Sequence, residues 1–111
     1  HSDGNVLQAV PLLIEAGIDA LHPMEVKAGM DVRELKAAYG DRLAFIGNID
    51  ARLFQENDIP GLEAEIRAKI PPAMKGGGYI FHSDHSLPPG TRLATYQFAL
   101  DLVRDIGRYA T

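Results

Sequence analysis

The chain has 111 residues, of which 46% are hydrophobic and 23% are charged, and its formal net charge is −4. Length and composition are typical of one compact globular unit. Its 11 Lys and Arg residues are scattered, which excludes the basic stripe that nucleic acid or anionic lipid requires. There is no cysteine, so disulfides and metal sites built from thiolates are excluded as well.

The chain also lacks signals for a membrane or for export. No apolar run approaches the roughly 20 residues that span a bilayer. The start of the sequence, HSDGNVLQAV, has neither the basic region nor the long apolar core of a signal peptide. We therefore expect a cytoplasmic protein in which residues 1–111 form a single domain.

The first half of the chain alternates between helical and strand-like patterns. Residues 6–17 have apolar side chains at helical spacing, and Pro11 within them marks either the first turn of the main helix or a kink. Residues 18–23, IDALHP, predict a short buried strand. Asp31 is a predicted N-cap for a helix over residues 32–40.

The second half continues the alternation. Residues 43–48 are continuously apolar and predict a strand covered on both faces, and a short turn or helix follows at 51–58. A helix is predicted from residue 59 up to Pro71, where two adjacent prolines break or kink it. Residues 76–83 predict a third strand. Residues 91–110 predict the longest helix, with one apolar face made of Leu93, Tyr96, Leu100 and Val103.

The order of these elements indicates an α/β fold with parallel strands. Strands that alternate with helices pair in parallel through right-handed crossovers. Only three full strands are visible, whereas a complete (β/α)8 TIM barrel takes about 250 residues. We expect the C-terminal portion of such a barrel, about three and a half βα units. The alternative is a small open α/β unit whose copies associate to cover their sheet edges.

Polar residues follow each predicted strand, where the active sites of parallel α/β folds form. Carboxylates and imidazoles in these places are suited to binding a metal, moving protons or holding a polar substrate. Structural alternatives exist, since Asp3 and Asp31 are also suited to capping helices and Asn48 and Asp50 to satisfying loop backbone. The residues that follow the strands are His1, Asp3 and Asn5; His22 and Glu25; Asn48 and Asp50; and His82, Asp84 and His85.

Several stretches resemble the C-terminal part of the uroporphyrinogen decarboxylase superfamily. They are LAFIGNID at 43–50, GGGYIFHSDHSLPP at 76–89 and VRDIGRY at 103–109, and residues 13–50 are similar to the strand-helix-strand arrangement of the same superfamily. The resemblance spans essentially the whole chain. It implies a (β/α)8 barrel and an enzyme, and it leaves two activities open.

The first implied activity is the decarboxylation of a tetrapyrrole in porphyrin biosynthesis, which needs no metal or organic cofactor. His85 matches a histidine of the decarboxylase active-site loop, and residues 47–50 match a GN-aliphatic-D motif. A carboxylate near His85 is expected to orient it while it protonates a carbanion-like centre. On this interpretation the catalytic residues are His85, Asp84 and Asp50, and the substrate-binding residues are Asn48, His82 and His22.

The second implied activity is that of the methyltransferases, in which zinc activates a thiol and a corrinoid protein is a partner. The positions of the zinc ligands are taken here by His1, Asp3, Glu25 and His85. Thiolates of the family pattern are replaced, and nitrogen and oxygen donors suit Zn²⁺ or a harder ion such as Mn²⁺ or Fe²⁺. Such a set leaves the metal more Lewis-acidic.

Between the two activities, the sequence leads us to favour metal-dependent, methyltransferase-like chemistry because Glu25 stands at a ligand position. Cofactor-free decarboxylation is the alternative, and a catalytically inert assembly module is a third hypothesis. The expected partners are a small-molecule substrate, either a tetrapyrrole or a methyl donor and acceptor, and further copies of the chain in a homo-oligomer. Nucleic acid and membranes are not expected as partners.

Overall fold

The computed structural model describes residues 1–110. The helices are α1 (Val10–Glu15), α2 (Val32–Tyr39), α3 (Ala51–Gln55), α4 (Ile59–Met74) and α5 (Leu93–Ile106), and the strands are β1 (Ala20–Leu21), β2 (Ala44–Ile46) and β3 (Tyr79–Ile80). Both strand pairs are parallel, in the order β1-β2-β3. The predicted parallel α/β class is therefore confirmed, and the arrangement is consistent with part of an α/β barrel.

The strands are shorter than the apolar runs that predict them. Gly47 and Asn48 have φ angles of 118° and 69°, which takes the backbone out of the extended region directly after β2. Beyond this turn the parallel ladder resumes as a single bridge between Ile49 and Ser83, and beyond β1 another single bridge joins Pro23 to Ser2. Pairing therefore continues into the loops at the carboxyl ends of the strands, and these loops carry the polar residues of interest.

Two hydrophobic clusters hold the helices against the sheet. Phe45 in the middle of β2 is fully buried, and removing a side chain of this size from water contributes about 2–3 kcal/mol. Tyr79 of β3 packs against both clusters. The first cluster consists of Val10, Leu21, Met24, Met30, Val32, Leu35, Leu43, Phe45 and Ala73, and the second of Ile49, Phe54, Leu62, Ile66, Ile70, Ala99 and Leu102.

The N-terminal ends of α1 and α2 agree with the predictions from the sequence. Pro11 lies in the first turn of α1, where its missing N–H has no helical partner to lose, so the first of its two predicted positions is confirmed. Asp31 is the N-cap of α2 and its carboxylate accepts the N–H of Arg33 at 2.9 Å. The structural role considered for Asp31 is therefore the observed one.

The predictions for α4 and α5 need correction. Helix α4 passes through Pro71 and Pro72 and ends at Met74, because Ala73 is buried in the core and packing of this last turn offsets the backbone bonds that the prolines lose. With 16 residues it is longer than α5, which has 14. No helix among residues 1–110 is long and apolar enough to cross a membrane.

The apolar face predicted for α5 is not the buried one. Leu93 is 79% exposed and Tyr96 is exposed as well, whereas the buried residues of the helix are Thr95, Ala99 and Leu102. Positions 95, 99 and 102 are spaced by four and three residues and form one stripe of a helix. Within this stripe Ala99 and Leu102 pack against Leu62, Ile66 and Ile70 of α4. The small side chain of Ala99 lets the two helices approach, a requirement of packing that hydrophobicity alone does not indicate.

Asp31→Ala is expected to lower the free energy of unfolding by about 1 kcal/mol, because α2 loses its N-cap. Asp31→Asn keeps a capping oxygen but loses the ion pair with Arg33 (2.9 Å), and we expect a change of only a few tenths of a kcal/mol for this partly exposed pair. Urea unfolding of both variants measures the difference. Equal losses in the two variants would contradict the assignment of the effect to capping.

Candidate functional site

The loops after the strands bring the histidines of the chain to one end of the sheet. The N–H of Ser2 donates to the carbonyl of His22 at 2.9 Å. This hydrogen bond places residues 1–3 beside the loop after β1. Ile49 is bridged to Ser83, which joins the loops after β2 and β3. Together they enclose a cavity of about 330 Å³, here called the histidine cavity, which is lined by His1, Asp3, His22, Pro23, His82, His85 and Ser86.

Three imidazole rings form a continuous contact at this cavity. The ring centroids of His1 and His22 are 4.9 Å apart with an interplanar angle of 60°, and those of His22 and His82 are 4.9 Å apart at 89°. Both contacts are edge-to-face. The Nε2 atom of His22 is buried and has no hydrogen-bond partner among the described residues. An unpaired buried nitrogen is costly, so a hydrogen-bond partner for this atom would be stabilising.

The tautomer of neutral His82 follows from its surroundings. Its Nδ1 lies 2.6 Å from the carbonyl oxygen of Ser83. A carbonyl only accepts, so Nδ1 carries the hydrogen and donates it, and the lone pair of neutral His82 is on Nε2. The side chain is exposed, so Nε2 can accept a hydrogen bond from a ligand or from water.

His85 connects the histidine cavity with a second one. It lines both the histidine cavity and a neighbouring cavity of about 410 Å³, here called the charged cavity, whose wall includes Glu25, Lys27, Asp50 and Arg52. The hydroxyl of Ser83 donates to the carbonyl of His85, and this bond holds the loop backbone while the imidazole stays exposed. A molecule in either cavity therefore meets the same side chain.

Asp84 is buried, with an exposed fraction of 4%, and both of its carboxylate oxygens accept backbone hydrogen bonds. Oδ2 accepts from the N–H of Val26 at 2.8 Å, and Oδ1 accepts from the N–H of Ala51 at 2.8 Å. The side chain thus joins the loop after β1, the start of α3 and the loop after β3. Because Asp84 is adjacent to His85 in the chain, these two hydrogen bonds fix the backbone of the loop that carries His85.

Asp50 is the N-cap of α3, where it accepts the N–H of Arg52 at 3.0 Å and pairs with the Arg52 guanidinium at 2.7 Å. Burial raises the pKa of Asp50, but the hydrogen bonds and charge of Arg52, helped by the charge of Lys69, outweigh it and the net pKa is lowered. The carboxylate is therefore held ionised at the wall of the charged cavity. Its predicted catalytic role stays a prediction.

Asn48 is fully buried and its amide is occupied by backbone. Oδ1 accepts from the N–H of Val32 at 2.9 Å, and Nδ2 donates to the carbonyls of Met24 at 2.7 Å and Met30 at 3.0 Å. Both donors and one acceptor of the amide are thereby satisfied by the loop after β1. The substrate-binding role predicted for Asn48 stays a prediction, as do those of His22 and His82.

Comparison with known proteins identifies the family of the chain. The family model described as Uroporphyrinogen decarboxylase (URO-D) matches residues 1–106. The chain belongs to the uroporphyrinogen decarboxylase family. The match includes every residue predicted for the site and confirms the resemblance in the sequence. A search of the curated proteins gives no match. Membership indicates an enzyme of a superfamily with decarboxylase-like and methyltransferase-like members.

The methyltransferase-like branch of the uroporphyrinogen decarboxylase superfamily raises the question of a metal. His1, Asp3 and His85 line the histidine cavity, but Glu25 lines the charged cavity, and its Oε1 accepts the N–H of Gly4 at 3.1 Å. Within residues 1–110 no group of three or more His, Asp or Glu side chains is arranged to hold a metal ion. The four predicted ligands therefore do not converge on one point in this arrangement.

One part of the site in this uroporphyrinogen decarboxylase-family chain was missed by sequence reasoning. Lys69 of α4 is 3% exposed, and its Nζ donates to the carbonyl of Asn48 at 2.7 Å and pairs with Glu65 at 3.2 Å. The signal was present in the sequence. Lys69 stands three residues after Ile66 and one before Ile70, on the buried stripe of the helix, with a Glu four residues before it.

The pKa of His22 is lowered from its usual value of 6.5 by burial, with smaller contributions from His82 and the α-amino group of His1, while Asp3 opposes them. Between 6.5 and the lower folded value, the unfolded state binds more protons at this position than the folded state. The free energy of unfolding is therefore expected to fall as the pH is lowered through that window, with no such contribution above it. Urea unfolding across the pH range measures this dependence, and His22→Asn is expected to flatten it. An NMR titration of His22 centred at or above 6.5 would contradict the prediction.

Proposed function

We propose that this chain carries the proton-transfer site of a decarboxylase that needs no metal or organic cofactor. In such a reaction the bond between carbon and CO₂ breaks, its electron pair stays on the carbon, and an imidazolium donates a proton there. The observation that carries the proposal is the row of imidazoles of His1, His22 and His82 around one cavity, with Nε2 of His22 unpaired. Imidazole is the side chain best suited to proton transfer near neutral pH.

In this proposal each histidine has a role that follows from its position in the site. His85 is the proton donor, because it is exposed at the boundary of both cavities and because the resemblance in the sequence implies that it matches a histidine of the decarboxylase active-site loop. His82 and His22 bind the carboxylate of the substrate or relay protons to His85. Asp84 keeps the loop of His85 in place through its two backbone bonds.

A substrate with several carboxylates suits this arrangement. The charged cavity has Lys27 and Arg52 on its wall together with Glu25 and Asp50. Arg52 already pairs with Asp50, so in this proposal Lys27 holds a carboxylate that does not react while another lies in the histidine cavity. A tetrapyrrole with acidic side chains has carboxylates spread in this way. We therefore propose a polycarboxylate of the tetrapyrrole type as the substrate class.

Release of CO₂ from uroporphyrinogen by the purified protein tests the proposal. Substitution of His85 by Asn is expected to lower kcat/KM by about 10²–10⁴-fold, the usual contribution of a general acid. His82→Asn and His22→Asn are expected to lower it by at least about tenfold. Glu63→Gln on the exposed face of α4 is the control and should leave it unchanged. Absence of CO₂ release, or a fully active His85→Asn variant, would overturn the proposal.

Metal-dependent methyl transfer is the second candidate. His1, Asp3 and His85 line one cavity and offer nitrogen and oxygen donors, which a metal would have to draw together from their present positions. A corrinoid protein would be its partner. Metal analysis of the purified protein and transfer of a methyl group from methylcobalamin to a thiol test this candidate. Stoichiometric metal that is lost in a His1→Asn variant would favour it, and a metal-free protein that still releases CO₂ would overturn it.

A further inference from the structure

The buried ion pair on α4 holds the backbone of the loop after β2. The side chains of Lys69 and Glu65 are only 4% and 18% exposed, and Nζ lies 3.2 Å from Oε1. Nζ also donates to the carbonyl of Asn48 at 2.7 Å, while Oε2 of Glu65 accepts the N–H of Asp50 at 2.9 Å. Lys69 thus binds the backbone of the residue before Ile49, and Glu65 binds the backbone of the residue after it.

Further hydrogen bonds connect the loop after β2 to both neighbouring loops. The amide of Asn48 binds the loop after β1 at Met24, Met30 and Val32, within 2.7–3.0 Å. On the other side, the N–H of Ala51, next to Asp50, donates to Asp84 in the loop after β3 at 2.8 Å. Every loop that follows a strand of the sheet is therefore connected to α4 by this chain of bonds.

Side-chain packing alone does not account for an ion pair in this place. Taking an ammonium and a carboxylate out of water is unfavourable, and apolar residues of similar volume are often as stabilising or more so. The neighbours on the stripe, Ile66 and Ile70, are apolar and fully or almost fully buried. An apolar pair at 65 and 69 would extend their packing, but it would leave the carbonyl of Asn48 and the N–H of Asp50 without these partners.

We propose that Lys69 and Glu65 are positioning residues for the candidate site. By holding the backbone of residues 48–50, they set the relative placement of the loops that carry His22 and His85. The inference rests on the proposed function only in taking these histidines as the reacting groups. The placement itself is a property of the folded chain that is measured without any turnover.

The test compares two ion pairs on α4, each with its partners four residues apart. The double variant Glu65→Leu/Lys69→Met replaces the buried pair by apolar side chains of similar size. The double variant Glu63→Leu/Arg67→Met changes the neighbouring pair, whose charged atoms are 2.9 Å apart but whose side chains are 45% (Glu63) and 53% (Arg67) exposed. For both we measure the NMR resonances of the histidine rings, hydrogen exchange at the amide of Asp50, and kcat and KM for CO₂ release.

In the buried-pair variant we expect cooperative unfolding to persist, while the ring resonances of His22 and His85 shift and the amide of Asp50 exchanges faster. A misplacement of about 1 Å lowers rates by about 10²-fold, so kcat should fall by about that factor and KM should change less. The exposed-pair variant should match the wild type in every measurement.

Unchanged resonances and exchange in a folded buried-pair variant would overturn the proposal. Failure of that variant to fold would overturn it too, because the pair would then be required for folding itself. The proposed function fails separately, through a wild-type protein that releases no CO₂. In that case shifted histidine resonances in the buried-pair variant would still support the positioning role.

Discussion

Asp84→Asn is expected to lower the free energy of unfolding by about 3 kcal/mol, although the two side chains have nearly the same shape. Both oxygens of Asp84 accept backbone N–H groups, from Val26 and Ala51. The amide of Asn has one oxygen and one NH₂ group, so in either orientation a donor faces one of these donors. The lost hydrogen bond to a charged group is worth about 1.5–3 kcal/mol, and leaving a buried N–H unpaired costs about 1–3 kcal/mol. The two effects overlap in part, which gives a total of about 3 kcal/mol.

Urea unfolding checks the effect of Asp84→Asn through the midpoint, with an unchanged denaturant dependence showing that the unfolded state is the same. Asp105→Asn is the matched control, because Asp105 is exposed on α5 and should change the stability by no more than about 0.5 kcal/mol. A loss in Asp84→Asn as small as that of the control would show that the two backbone bonds do not depend on the carboxylate.

Asn48→Ala is expected to lower the free energy of unfolding by about 4 kcal/mol. The substitution removes three buried hydrogen bonds and leaves the carbonyls of Met24 and Met30 and the N–H of Val32 without their side-chain partner. It also places alanine at a φ of 69°, a conformation that Asn tolerates better than other side chains and that costs alanine about 1 kcal/mol.

A glycine at position 48 separates the two contributions. Asn48→Gly loses the same hydrogen bonds but has no penalty at positive φ, so it should be more stable than Asn48→Ala by about 1 kcal/mol. Both are compared by urea unfolding.

Asn57 supplies a matched control. It has a φ of 52° and three hydrogen bonds of its own, to Gly90, Arg92 and Thr95, but is only partly buried. Water can replace some of its partners, so Asn57→Ala should cost clearly less than Asn48→Ala. Equal costs at the two positions would contradict the importance of burial.

The sequence was a good guide to the fold and to the region of the site. Periodicity predicted the parallel α/β class, and the residues after the three apolar runs proved to lie at one end of the sheet. Caps and prolines were predictable when their effect is local, as for Asp31 and Pro11. Pro71 and Pro72 were not, because the core contacts of Ala73 come from distant parts of the chain.

The sequence by itself determined which polar residues stand at the ends of the strands, since strand position depends on the local pattern of apolar residues. Only the tertiary structure decided what those residues do. Asp84 binds backbone 58 and 33 positions away, and Lys69 binds backbone 21 positions away. A carboxylate or amide at a strand end has the same chemistry whether it faces a cavity or another loop. Its partner depends on how the loops meet in space, and for Asp84, Asn48 and Lys69 that partner is the backbone, while the histidines face the cavity.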